Sequence, residues 1–223
     1  MKETIEDVTP NIKSLCVPFS NIGSFNQLEV NLFLDNLTKH KLQQADWLQP
    51  DKKVQVNFAI GYCQKAILLK FYIVEPHFRA TYWNANDPVS QDSCVEFFIS
   101  FDDRQHYYNL EFNAFGTCLA AYGSNRTDRK NLPVETIEQI NIWQKWEQHM
   151  PNENIYKWEI TFSIPFSVFK FDNVENLKGR NLFANFYKCG DALPELHYLV
   201  WNRVATVLPD FHQPKYFGLL SFD

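Results

Sequence analysis

Between Tyr156 and Ile164, the apolar residues Trp158, Ile160, Phe162 and Ile164 alternate with Lys157, Glu159, Thr161 and Ser163. A period of two places successive side chains on opposite faces of a strand, so this stretch predicts a β-strand with one face in a core. The pattern recurs. Val54, Val56, Phe58 and Ile60 share a face, as do Ile67, Leu69, Phe71 and Ile73. Val95, Phe97, Ile99 and Phe101 repeat it, followed by Tyr108, Leu110, Phe112 and Ala114. Further strands are expected at 182–188, 197–201 and 217–222. Turn residues separate these runs at Asn86-Asp87-Pro88, Asp102-Asp103, Gly123-Ser124-Asn125, Pro151-Asn152 and Lys178-Gly179. Helical signal is confined to 27–38 and to a turn or two within 134–148, where Trp143 and Trp146 would pack a short helix onto the body. Many one-sided strands with little helix predict two packed sheets. The expected fold is therefore all-β, an antiparallel, jelly-roll-like β-sandwich with one or two short helices. No composition shift or internal repeat divides the chain, so residues 1–223 read as a single domain, with 1–50 an N-terminal extension packed on it.

Hydrophobic residues make up 45% of the chain, enough for a substantial core. The 16% aromatic content belongs chiefly to that core, although the same flat rings can also serve a ligand. The net charge of -5 comes without a basic cluster; the densest stretch, Arg126 to Lys130, includes Asp128. A nucleic-acid partner needs a positive patch, so that class is set aside. No apolar run approaches the ~20 residues of a membrane span. The start, Met-Lys-Glu-Thr-Ile-Glu-Asp-Val, has neither the basic nor the apolar part of a secretory signal. A complete chain is thus expected in the cytoplasm, and one whose leader has been removed in the periplasm or outside the cell. Five cysteines at wide spacings contain no CxxC pair, which speaks against a zinc site and for buried free thiols.

The strand faces opposite the apolar stripes carry the candidate chemistry. Glu96 lies opposite the Val95 stripe, and Asn109, Glu111 and Asn113 lie consecutively opposite the Leu110 stripe. Asn185 and Lys188 come from the 182–188 strand. Adjacent strands would gather these carboxylates and amides on one side of one sheet, where they match sugar hydroxyls that both donate and accept hydrogen bonds. The plain alternative is a solvated strand face. Trp83, in a polar segment ending at Pro88, and Trp201, before Asn202-Arg203, are candidate platforms for the apolar face of a sugar ring or, equally, covers for the sandwich edge. Glu96 with Glu111 could instead serve as acid and nucleophile of a glycoside hydrolase. The histidines show no HExxH or HxxEH spacing, and no GxSxG elbow is present. Asp102-Asp103 reads as a hairpin turn in preference to a calcium site, which needs ~6 or more oxygens.

The run Asp92-Ser93-Cys94-Val95-Glu96-Phe97-Phe98-Ile99 resembles the D-S-x-V-E-x-F-I strand of carbohydrate-binding module family 9, in particular the family-9-like domains of gut Bacteroidetes. Phe71 to Glu75, Tyr108 to Asn113, Trp158-Glu159-Ile160 and Ile164-Pro165 follow in the family's order, and the chain closes with Pro209-Asp210-Phe211-His212-Gln213-Pro214 and Phe217 to Phe222. The likeness covers roughly residues 50–223. It implies a sandwich of the wider sugar- or haem-binding DOMON group, a sugar end clamped between two Trp rings, and structural calcium, although no family metal motif is identifiable. By position, Trp83 and Trp201 would form the clamp, and Arg79, Glu96, Asn109 and Glu111 the hydrogen-bonding set. The implied function is carbohydrate binding without catalysis, and a xylanase label would come from multidomain relatives. Haem binding, the second alternative, would need two histidines, because Met1 and Met150 are the only methionines.

Overall fold

A computed structural model describes residues 12–23, 26–48, 53–147 and 155–223. In chain order its strands are β1 (Ser14–Val17), β2 (His40–Lys41), β3 (Gln43–Gln44), β4 (Gln55–Tyr62), β5 (Ala66–Glu75), β6 (Cys94–Ser100) and β7 (Tyr107–Asn113). They continue with β8 (Cys118–Gly123), β9 (Lys130–Asn131), β10 (Asn141–Trp146), β11 (Tyr156–Pro165), β12 (Asn181–Cys189), β13 (Leu199–Val200) and β14 (Gly218–Phe222). Nine of these form one sheet, ordered β1-β14-β12-β6-β7-β8-β9, with β13 beside β12 and β3 beside β13. The other five form the second sheet in the order β10-β11-β5-β4-β2. Pairing is antiparallel throughout, except that β1 runs parallel to β14.

The alternating stripes meet between the sheets. Val56, Phe58 and Ile60, Leu69 and Phe71, Ile160 and Phe162, Phe97, Leu110 and Phe112 all belong to one buried cluster. Phe58 stacks on Phe186 across the sheets at 3.9 Å, and Phe112 meets Phe162 at 4.2 Å. Such ring pairs add directional attraction to the area they bury. The turn at Asp102-Asp103 forms as expected: Asp103 and Arg104 adopt φ of 58° and 70°, and the Asp102 carboxylate accepts from Ser100 Oγ and the amides of Gln105 and His106. Gly179, with φ of 73°, supplies the left-handed residue of the Lys178-Gly179 turn. The Pro151-Asn152 turn lies outside the described residues.

The helix expected at 27–38 is α1 (Gln27–Asp35). Asn26 Oδ1 caps it by accepting from the Glu29 amide, and Val30 and Leu34, four apart, bury one face. Residues 134–148 differ from expectation. A single turn, α2 (Val134–Ile137), is followed by β10, so Trp143 and Trp146 stand on a strand. β1 and β8 also form where no strand was expected. The N-terminal residues described here contribute β1 and β3 to the large sheet and β2 to the small one.

Lys188 does not share a face with Asn185. Its even position on β12 matches Leu182, Ala184 and Phe186, so it points between the sheets, where Glu75 of β5 meets it. Lys188 Nζ lies 2.8 Å from Glu75 Oε2 and 2.9 Å from His197 Nε2, while Trp158 Nε1 donates to Glu75 Oε1 at 2.8 Å. Lys188 and Glu75 are wholly buried. Removing one member of such a pair strands the other charge, so Lys188→Ala is expected to cost about 3–5 kcal/mol in urea unfolding. Val207→Ser, at a side chain 97% exposed, should change stability by less than about 0.5 kcal/mol.

Candidate functional site

β6, β7 and β12 are adjacent in the large sheet, and the face they turn away from the core is not solvated. A second apolar layer covers it: Phe98, Tyr107, Tyr187, Val200, Val204, Phe211 and Phe217 form a cluster of their own, flanked by Trp47, Tyr82 and Tyr198. The row read as a strand face therefore lies under this cover, with Glu96, Asn109, Glu111, Asn113 and Asn185 all buried. Burial of polar groups demands partners, and the partners separate structural members from candidates for binding.

Asn185 and Asn202 satisfy each other: Asn185 Nδ2 donates to the Asn202 carbonyl at 2.9 Å, and the Asn202 amide donates to Asn185 Oδ1 at 2.8 Å. Asn113 Oδ1 accepts from the amides of Phe115 and Thr117, and its Nδ2 donates to the Tyr82 carbonyl and Asp92 Oδ2. Both asparagines hold the fold. Arg79 joins the same loop network, with its Nε 3.3 Å from Asp92 Oδ1. Asp92 Oδ2 also receives the amides of Thr81 and Tyr82.

The cover breaks over Glu96 and Glu111, which stand directly opposite one another on β6 and β7. There a hollow with room for about 100 Å³ is lined by these two carboxyls and Cys189 below, with Trp47, Tyr198, Phe211, His212, Arg126, Arg129 and Asp191 among its walls. Asn109 Nδ2 donates to Glu111 Oε1 at 2.9 Å, and Arg129 Nη1 donates to the same oxygen at 3.1 Å. Arg129 Nη1 also reaches His212 Nε2 at 3.2 Å, while His212 Nδ1 lies 2.9 Å from Tyr107 Oη. A guanidinium can only donate, so His212 Nε2 accepts and the neutral ring carries its proton on Nδ1, facing Tyr107. Burial, aided by Arg129, lowers the His212 pKa to about 3, consistent with that neutral ring. Burial raises both carboxyls. Glu96 is pushed well above the usual carboxylate range by desolvation and then by Glu111, whereas Arg129 tempers the rise at Glu111. Glu96 is the better proton holder and Glu111 the better acceptor.

The expected Trp83–Trp201 clamp does not form. Trp201 is 4% exposed in the core between the sheets, edge-on to Phe58 and Phe186 at 6.1 and 5.6 Å. It fills the space that Gly218 leaves, where a Cβ would meet its six-membered ring. Trp83 is 67% exposed, stacked on Phe115 at 4.9 Å, and does not line the hollow. Of the sequence-derived set, Glu96 and Glu111 line the hollow, and Asn109 lies beneath it as the partner of Glu111. The aromatic walls, Trp47, Tyr198 and Phe211, and the polar groups Arg129, His212 and Asp191 went unrecognised. Phe211 and His212 sit within the closing Pro209 to Pro214 motif, which was the one available signal for them. Arg129 lies in the charged stretch that was read only as too weak for nucleic acid.

Asp102 and Asp103 do not fit a calcium ion. Asp102 Oδ1 accepts from Ser100 Oγ and from two backbone amides, its Oδ2 faces His106 Nδ1 at 2.8 Å, and Asp103 pairs with Arg104. Donors occupy both Asp102 oxygens, leaving too few for a hard cation that takes about six or more. Neither His212 nor His197 is free to hold haem. Both nitrogens of His212 have partners, and His197 is held between Lys188 and the Glu195 carbonyl. His149 and Met150 lie outside the described residues. No helix among the described residues is long and apolar enough to cross a membrane.

Residues 26–222 match carbohydrate-binding family 9, and the chain belongs to that family. It is similar over 95% of its length, at 31% identity and a TM-score of 0.86, to the whole of a Bacteroides uniformis protein to which carbohydrate binding is ascribed. Two structures of a family 9 carbohydrate-binding module from Caldicellulosiruptor kristjanssonii share the fold. The complex with cellotriose covers 94% of this chain and 93% of that one at 12% identity and a TM-score of 0.54. The complex with glucose covers 95% and 96% at 10% identity and a TM-score of 0.52. No curated protein matches the chain.

Trp201→Ala should empty a large core volume and cost about 3–5 kcal/mol of stability, whereas Trp83→Ala, losing one exposed ring pair, should cost no more than about 1.5 kcal/mol. Equal losses in chemical denaturation would contradict this placement. His212 yields a pH prediction. In the fold it stays neutral down to about 3, while the unfolded chain takes up its proton below 6.5. The unfolded state then binds more protons, so His212 weakens the fold as pH falls from 6.5 toward 3. His212→Gln should flatten that part of the acid limb in a series of melting curves.

Proposed function

We propose that the chain binds a carbohydrate without cleaving it, and that the hollow over Glu96 and Glu111 takes the terminal ring of a mono- or oligosaccharide. The observation that carries this reading is the floor of the hollow. Glu111, fixed by Asn109 and Arg129, offers an acceptor, and Glu96 beside it offers a proton. Each sugar hydroxyl both donates and accepts, and a carboxyl biased by burial toward its acid form beside one tied to Arg129 meets both needs. Asp191 and Arg126 add an acceptor and a donor at the rim. Trp47, Tyr198 and Phe211 present rings to the apolar C–H face of a pyranose. Trp47 is held for this task, its Nε1 donating to the Thr206 carbonyl at 2.8 Å.

The dimensions favour a chain end over a chain interior, because the hollow is small and has a protein floor. The two carboxyls stand side by side on neighbouring strands. A glycosidase places its pair on either side of the scissile bond, about 5–9.5 Å apart, whereas Glu96 and Glu111 share the floor of the hollow on paired strands. Membership of family 9 and the likeness to modules bound to glucose and cellotriose support glucose-containing oligosaccharides as first probes.

The test is calorimetric titration with glucose, cellotriose and xylose oligomers after a glycan-array screen run with and without chelator. Arg129→Ala and Trp47→Ala should each lose about 1.5–3 kcal/mol of affinity, roughly 10- to 150-fold. Trp83→Ala should bind as the parent does. Unchanged isotherms in both of the first two variants, or new reducing ends accumulating from the oligosaccharides, would overturn the reading.

A further inference from the structure

We propose that Cys94, Glu96 and Cys189 form a site for one thiophilic divalent cation, zinc in the first instance, set into the strands beneath the hollow. The sequence hides this site. Cys94 and Cys189 are 95 positions apart and belong to no CxxC pair, but β6 and β12 pair so that the two residues are direct cross-strand partners. Glu96 follows Cys94 by two positions and therefore shares its face. The two sulfurs and a Glu96 oxygen all lie within 4.8 Å of one another, and the three residues are buried. Among the described residues this is the one group of histidine, cysteine and carboxylate atoms so gathered.

Tetrahedral zinc with Zn–S near 2.3 Å and Zn–O near 2.0–2.2 Å holds its ligand atoms roughly 3.5–3.8 Å apart. No pair is more than about 1.3 Å wider than this, and Cys189 Sγ and Glu96 Oε1, at 3.0 Å, would move apart slightly, adjustments within the reach of χ rotations on a fixed strand ladder. Two sulfurs and one oxygen are a borderline-soft donor set. They suit zinc, cobalt or cadmium and not calcium or magnesium, which take oxygen. Cys189 and Glu96 both line the hollow, so three protein ligands leave the fourth position facing solvent. Three protein ligands and one open position is the arrangement of non-structural zinc sites.

Without the cation, Cys189 Sγ donates to Glu96 Oε1 at 3.0 Å and the group holds protons where the ion would sit. Binding exchanges those protons for the metal: each thiol releases H⁺ as the sulfur lone pair forms the Zn–S bond, and the Glu96 carboxyl releases its proton as its oxygen binds, with no change of oxidation state. The remaining cysteines are placed differently. Cys63 and Cys118 are buried apart from this group, and Cys16 is exposed.

The site shares Glu96 and the hollow with the carbohydrate reading, so it is tested without a sugar, and its failure leaves that reading standing. Metal-free, thiol-reduced full-length protein is titrated with Co²⁺ and followed by absorption, with native mass spectrometry for stoichiometry. The expected result is one ion per chain, an intense near-ultraviolet thiolate-to-cobalt band with visible bands of tetrahedral cobalt, and loss of all of them on adding Zn²⁺. Cys94→Ser and Cys189→Ser should each weaken binding by more than the roughly 10–100-fold typical of losing an outer partner. Glu96→Gln, which replaces the acid by a group of the same shape, should keep the thiolate band at reduced affinity. Cys63→Ser should titrate as the parent does. Absence of a thiolate band in the parent protein overturns the site, whatever the variants do. So does a band that survives in both cysteine variants.

Discussion

A strand covered on both faces has no solvent to satisfy its polar side chains, and three central strands of the large sheet are in that position. β6, β7 and β12 send one set of side chains into the core between the sheets and the other under a layer of loops. Each polar group on the second face must then find a protein partner or face a gap in the cover. Asn113 and Asn185 find partners in loop backbone and so fasten the cover down. Glu96 and Glu111 face the gap. The distinction between scaffold and site in this molecule is thus a matter of which buried hydrogen-bonding capacity has been used up.

The same accounting explains the ends of the sandwich. Lys188 and Glu75 close one end of the core with an ion pair that reaches from sheet to sheet, flanked by Trp158 and His197. Desolvation makes such a pair a poor source of net stability but a strong constraint on alignment, because sliding either sheet separates two buried charges. Elsewhere in the core Trp201 packs edge-on against Phe58 and Phe186 in the space left by Gly218. Ring and glycine fit only in one register, so the β13 segment and β14 are positioned together.

How much of this could be read from the sequence follows from what periodicity encodes. Alternation reports which side chains share a face, and the inward stripes of β4, β5, β6, β7 and β11 were all correctly grouped. Parity also settled Glu96, Asn109 and Glu111 onto one face, and would have removed Lys188 from it. What alternation cannot report is whether the second face meets water or protein. Its polar residues look alike in either case, and the covering segments at 43–48, 76–92 and 190–216 have no period to betray them. Trp201 was misplaced for that reason: polar neighbours in sequence, Asn202 and Arg203, suggested a wet environment, while β13 turns the indole inward. Trp47, Arg129 and His212 come from three separate segments, and only the closed sheet brings them over the carboxyls. The Cys94–Cys189 pairing is likewise a product of strand order, which local sequence does not carry.

A floor of two adjacent carboxyls fits the proposed binding role more readily than hydrolysis. Cleavage needs an acid and a nucleophile that approach one glycosidic bond from different directions, each free to change protonation during the reaction. Here both groups point the same way from neighbouring strands. Glu111 is tied by Asn109 and Arg129, whose hydrogen bonds favour the anion and hinder proton transfer through it. Arg129 is in turn backed by a neutral His212, which adds no further positive charge beside it. Burial, and then the neighbouring Glu111, bias Glu96 toward its acid form. The result is a pair of neighbouring carboxyls held in place before any ligand arrives. Such preorganisation favours selective recognition of hydroxyl orientation, which is what the proposed carbohydrate role requires of the hollow.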